Sequence, residues 1–274
     1  MFNALQLLKQ ESKYKANYYW IGGGSLIAIT PFYLGIKMSK QKIIAQMVGR
    51  NEEDRFLKNV LSRILNQVDE IVFTDDCSED NTAGIASDYA HVYKTTEPTF
   101  AVHEGRLRTA AWSNLEKHAS PGDWIIAIDC DEMLYRLDNL NSLDIRTVLD
   151  SSEQDVVNVR FYHMWDETKY RVDKLWAPNN SSRIFRFIPG GQFNDKALAC
   201  GSEPTYVSEW IKRRNFWVNS GLVMQHLGYI FDDDKEKKYK RYSEIDGGKY
   251  HNLSHINSIL DKNPVLINWG NFGL

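Results

Sequence analysis

Asp129 and Asp131 stand two residues apart, followed at once by Glu132, directly behind the apolar run 124–128 (WIIAI). Two carboxylates so spaced at the end of a buried strand can both reach one divalent cation, and hard oxygen ligands suit Mg2+ or Mn2+. Such an ion bridges to phosphate oxygens and neutralises charge on a departing diphosphate. Taken alone, the cluster reads equally as a solvated acidic turn. It is not alone, because two more polar clusters follow apolar runs: 49–53 (GRNEE) behind 42–48, and 75–82 (DDCSEDNT) behind 70–74. A carboxylate of the 75–82 cluster can accept hydrogen bonds from a nucleobase or ribose. Asp80 and Thr82 suit turn and cap chemistry.

The elements that must carry these clusters alternate in type. Phe56, Leu57, Val60, Leu61, Ile64 and Leu65 recur at helical spacing, with Asn51 the expected N-cap. A second helix runs to about Tyr89, a short strand covers 91–93, and Leu107, Ala110, Ala111 and Leu115 form the next helical stripe. This order predicts an α/β fold with mostly parallel strands and helices on both faces. Ligands of such sheets bind beyond the carboxyl ends of the strands, and all three clusters fall there. Past about Tyr135, the segments 156–165 and 183–188 alternate like strands. Turns are expected at 178–180 and 189–191, and a charged helix near 234–242. Asp232, Asp233 and Asp234 precede that Lys-rich run and read as its cap. Tyr162, Trp165, Tyr170 and Trp176 read as core, and Cys130 as a small filler.

The ordered set VGRNEE, TDDCSEDNT, RLRTAAWSNL and GDWIIAIDCDE, continuous from about Lys42 to Met133, resembles the family 2 glycosyltransferases with the GT-A fold. That resemblance implies a Rossmann-like nucleotide-sugar-binding sheet. It puts Asn51, Glu53, Asp75 and Asp76 on the donor side, and gives Asp129 and Asp131 to the ribose and the metal. An arginine of the third motif would face the diphosphate, and spacing leaves Arg106 and Arg108 both open. Gln225-His226-Leu227-Gly228-Tyr229 is similar to the family's H-x-G-Y segment, whose His completes the metal site. An imidazole ligand would tilt the preference from Mg2+ towards Mn2+. Arg183-Ile184-Phe185-Arg186 and then Glu203 resemble the acceptor-side motifs. Ser202 stands where the family has His, and Glu203 is the carboxylate expected to accept the acceptor's proton. The Q-x-x-R-W signature of processive synthases is absent, which implies transfer of a single sugar.

Bulk properties limit the alternatives. The chain has 274 residues and a net charge of −3, which argues against a nucleic-acid-binding surface spread over the whole molecule. Three cysteines (Cys77, Cys130 and Cys200) without CxxC spacing argue against a disulfide framework or structural zinc and point to a reducing, cytoplasmic setting. Residues 16–36 carry no charge, a length sufficient for a bilayer. Gly22, Gly23, Gly24, Pro31 and Gly35 weaken a helix there, so a packed N-terminal extension is expected over a weakly membrane-associated anchor.

The sequence therefore predicts an N-terminal extension (1–37), a nucleotide-sugar half (38–135) and an acceptor half (136–274). The expected function is metal-dependent, inverting transfer from a nucleoside-diphosphate sugar, expected to be a UDP-sugar, to a hydroxyl of a glycan, lipid, protein or modified nucleic acid. One rival is a nucleotidyltransferase, but its Gly-rich phosphate loop is missing from GRNEED. The other is a non-catalytic carbohydrate-binding protein, which would have no use for intact Asp129, Asp131 and His226.

Overall fold

The computed structural model describes residues 17–21, 25–29 and 40–272. The chain divides into two units, Met1–Lys40 and Gln41–Leu274. In the first, β1 (Asn17–Ile21) and β2 (Ser25–Ile29) pair as an antiparallel hairpin. The remainder of the uncharged 16–36 stretch lies outside the described residues. No helix among the described residues is long and apolar enough to cross a membrane.

The second unit is built on one eight-stranded mixed sheet of order β5-β4-β3-β6-β10-β8-β11-β7. Its parallel part comprises β3 (Ile43–Gly49), β4 (Glu70–Asp75), β5 (His91–Lys94) and β6 (Trp124–Ala127). β3, β4 and β6 are apolar runs buried on both faces, as strands covered by helices on each side must be. Among the helices, α1 (Leu57–Ile64) packs Leu57, Val60, Leu61 and Ile64 against the sheet. The others of this part are α2 (Thr82–Ser87) and α3 (Glu104–Leu115).

The rest of the sheet comes from the second half of the chain. β10 (Asn179–Arg186) pairs antiparallel with β6, and β8 (Val156–His163) antiparallel with β10. β11 (Leu222–His226) runs parallel to β8, and β7 (Glu132–Arg136) antiparallel to β11. A core continuous from Ile43 through Val157, Ile184 and Leu222 joins both halves. β9 (Lys169–Arg171) and β12 (Leu266–Asn268) form a small separate sheet. Four more helices complete the unit: α4 (Ile145–Asp150), α5 (Thr205–Lys212), α6 (Asp232–Arg241) and α7 (Leu253–Ser258).

Three local expectations are corrected. Asn51 caps no helix: α1 starts at Leu57, and Asn51 takes a left-handed φ of 55° to accept the Glu79 amide on Oδ1. Asn179 and Asn180 form no turn but open β10, opposite Phe161 and Arg160. Ala110 is exposed, and Trp112 takes its place on the buried face of α3. The triple aspartate does sit in the first turn of α6. Asp234 adds a buried ion pair to Arg55 at 2.8 Å.

Candidate active site

The loops after β3 and β4 lie side by side and spend most of their polar groups on each other. The Asn51 amide donates to Ser78 Oγ, the Glu52 amide to Thr82 Oγ1, the Glu53 amide to Asp80, and the Asn81 amide to Glu53. Asn51 and Glu53 are exposed and structural in this geometry, and Glu52, between them, turns into the cavity. The aspartate pair divides in the same way. Asp75 is wholly buried, accepts the Ser78 amide and lies outside the cavity lining. Asp76 lines the cavity and clamps the loop beyond β5 by accepting the Thr99 and Phe100 amides.

The cavity has a volume of about 640 Å³ and opens at the carboxyl ends of β3, β4 and β6. Asp129 and Asp131 share it but face different partners. Asp129 Oδ1 lies 3.1 Å from Arg108 Nη1, and its Oδ2 lies 3.7 Å from Arg183 Nη2. Asp131 Oδ2 lies 3.4 Å from His226 Nε2 and 3.7 Å from Lys238 Nζ. Burial alone would raise both carboxyls. The arginines hold Asp129 below its usual range, while His226 and Lys238 hold Asp131 far below it.

The second-half residues arrive by strand register. β7 leaves the acidic motif at Glu132 and pairs it with His226 on β11. β8 sets His163 beside His226 on the other flank, with the two Nδ1 atoms 2.9 Å apart. A register irregularity in β10 between Ser181 and Ile184 brackets Arg183, and such bulges re-aim side chains. Arg183 Nη2 reaches Glu132 Oε1 at 2.6 Å. Burial pushes Glu132 up to about 8 against the pull of Arg183, with Asp129 and Asp131 adding to the rise. Burial likewise raises Glu52 to about 7 despite Arg55. A Cβ at Gly228 would crowd Lys238 Nζ, Asp131 Oδ2 and His226 Nε2, so a larger residue there would displace those side-chain ends from one another.

The arginine ambiguity is resolved by helix phase. Arg108 is buried on α3, lines the cavity and also approaches Glu104 at 3.5 Å. Arg106 is exposed and outside the lining, one turn from exposed Ala110. Glu203 does not line the cavity. Burial raises its carboxyl, and the charges of Arg183 and Arg108 draw it back, which sets it next to the arginine layer. Lys238 and Arg241, one turn apart on α6, also line the cavity, as do Glu52 and His163. None of these four stands out locally in the sequence, except that the two cations follow the His226 segment.

Buried nitrogens without a protein partner (Arg108 Nε, Arg183 Nε and Nη1, Arg241 Nε) belong to three guanidinium groups lining one cavity, a donor set for an anion such as diphosphate. The Asp131–His226 separation is near the roughly 3 Å between neighbouring ligands of a six-coordinate ion with bonds of about 2.1 Å. Asp129 is not drawn into that pair. Among the described residues, the one group of three ligand atoms within 4.8 Å of each other lies elsewhere.

The family model described as Glycosyl transferase family 2 matches residues 47–200, over half of the chain. No curated protein matches. Among solved structures, the mannosyltransferase PcManGT from Pyrobaculum calidifontis, in complex with GDP-Man and Mn2+, is 13% identical over 83% of this chain and 67% of its own, with a TM-score of 0.46. Mannosyl-3-phosphoglycerate synthase from Rubrobacter xylanophilus is 22% identical over 45% of this chain and 41% of its own, with a TM-score of 0.32. Glucosyl-3-phosphoglycerate synthase from Mycobacterium tuberculosis is 20% identical over 45% and 44%, with a TM-score of 0.31. The match therefore spans less than half the length of either synthase.

Proposed function

This chain belongs to glycosyl transferase family 2; from that premise we propose that it is a glycosyltransferase that moves a single sugar from a nucleoside-diphosphate sugar, of the UDP type, to an acceptor hydroxyl with inversion and with help from a divalent ion. The observation that carries this reading is the pairing of Asp131 with His226 at 3.4 Å in a cavity walled by Arg108, Arg183, Lys238 and Arg241. Asp131 and His226 would hold Mn2+ or Mg2+, and Asp129 is the remaining carboxylate offered to the ion or the ribose. The bound ion supplies positive charge against the diphosphate.

The protein's own groups do the rest. Asp76 and the loop it clamps stand on the nucleoside side. The cavity arginines and Lys238 bind the diphosphate oxygens and stabilise the charge that grows as the bond to the anomeric carbon breaks. The acceptor oxygen bonds to that carbon from the opposite face, the nucleoside diphosphate leaves, and Glu203 takes the acceptor's proton. Burial raises the Glu203 carboxyl, which makes it a stronger base for that proton.

The test is Mn2+-dependent hydrolysis and transfer over a panel of UDP- and GDP-sugars. Asp131→Asn should lower the rate by about 10³-fold. Glu203→Gln should lower kcat by about 10²–10⁴-fold, with little change in nucleotide binding. Equal turnover in wild type and Asp131→Asn would overturn the metal assignment, and no turnover in either would favour a binding protein on this fold.

A further inference from the structure

The amino ends of the same parallel strands gather a different set of ligand atoms. Glu70 opens β4, His91 opens β5, and His118 lies in the turn behind α3. His118 Nδ1 is 3.0 Å and His91 Nε2 is 3.6 Å from Glu70 Oε2, and all three atoms fall within 4.8 Å of each other. We propose that Glu70, His91 and His118 form a zinc site that ties the edge strand β5 to β4 and to the tail of α3. This inference is independent of the catalytic reading.

Geometry and chemistry both favour zinc. Three ligands of a tetrahedral ion with bonds of about 2.0–2.1 Å are roughly 3.3 Å apart, and the two measured edges straddle that value. Two imidazoles with one carboxylate form a borderline donor set that suits Zn2+ better than Mg2+ or Mn2+. His91, with 56% of its side chain exposed, leaves the fourth position to solvent.

The surrounding groups orient the ligands as the neighbours of metal sites do. With metal bound, the Tyr93 hydroxyl, 2.8 Å from His118 Nε2, can accept a hydrogen bond from that nitrogen and leave the Nδ1 lone pair to the ion. Lys42 Nζ takes Glu70 Oε1 at 2.6 Å and the His118 carbonyl at 3.2 Å, which leaves Oε2 as the ligand atom. In the metal-free protein the short Nδ1–Oε2 contact holds a proton, and the ion replaces that proton on binding. The Lys42 charge opposes the ion, so the site binds less tightly than a closed structural zinc centre.

Calorimetric titration of the full chain with Zn2+ tests this in the Asp131→Asn background, which disables the cavity pair. One Zn2+ per chain is expected, together with a Tm rise of about 5–10 °C at 100-fold excess over Kd. Both should vanish in His118→Ala and in His91→Ala. The second variant alters an exposed side chain and keeps the fold if the first does not. Absence of zinc binding in Asp131→Asn, or one equivalent persisting in His91→Ala, would overturn the proposal.

Discussion

The two ends of the parallel strands use the same residue types to opposite effect. At the carboxyl ends, Glu132 and Arg108 are buried, Asp129, Asp131, Arg183 and His226 are half-buried, and every cation that meets an acid is itself largely shielded from water. At the amino ends, Glu70 and His118 are half-buried too, but two of the partners that meet Glu70 are open to water, with 43% of the Lys42 side chain and 56% of the His91 side chain exposed. Burial of the cationic partners, more than charge content, distinguishes the candidate catalytic edge. Buried ions displace protonation ranges in both directions there: Asp131 goes down and Glu132 up, two residues in sequence from Asp129 and three from it respectively along the same short loop.

The sharpest way to break the comparison is to remove one buried partner. Arg108→Met leaves Asp129 and Glu104 short of a cation in the interior, and an uncompensated buried charge is costly. A loss of about 3 kcal/mol in urea denaturation is expected. The double variant Arg108→Met/Asp129→Asn should recover part of it. A loss below about 0.5 kcal/mol, the scatter of surface substitutions, would place the edge in the solvated class after all.

How much of this could be read beforehand depended on whether the signal was local. Apolar runs ending in acids announced β3, β4 and β6 and their cavity edge, because both the burial and the cluster are written within ten residues. The Arg106/Arg108 choice was also local, lying in the phase of α3. Arg108 precedes buried Trp112 and Leu115 by four and seven residues, whereas Arg106 precedes exposed Ala110 by four. Placing Ala110 on the buried stripe blurred that phase. Glu52 and Glu53 could not be told apart, since their difference arises from hydrogen bonds to a loop about thirty residues on. His163 was beyond reach, and Arg183, legible only as part of the Arg183–Arg186 segment, could not be placed in the cavity, for a stronger reason. They reach the cavity through the pairing of β8 with β11 and the irregular register of β10, which no local pattern encodes.

In the metal-free protein, Glu52 is raised from its usual 4.5 to about 7, mainly by burial. A raised value means that its favourable contribution is complete below 4.5 and is lost as pH climbs through about 7. Glu52→Gln should remove that loss. In EDTA, the variant is expected to gain about 2 kcal/mol on wild type between pH 5 and pH 8.5, measured as the difference between two denaturation series. Parallel curves would show that Glu52 ionises as an exposed carboxylate does.

Glu70 gives the smallest effect and the opposite sign. Lys42 and His118 hold its carboxyl below the usual 4.5 although burial works the other way. Its contribution is therefore present above 4.5 and fades as pH falls through the lowered value. Because Lys42 is largely in solvent, screening limits that contribution, and Glu70→Gln in EDTA should cost less than about 1 kcal/mol at pH 7 and nothing at pH 3. High salt should shrink the cost further, while leaving the Arg108 effect nearly intact, since buried pairs are screened much less. A Glu70→Gln cost that equals the Arg108→Met cost, or that survives 1 M salt, would mean that the two edges share one electrostatic regime and that burial is not what separates them.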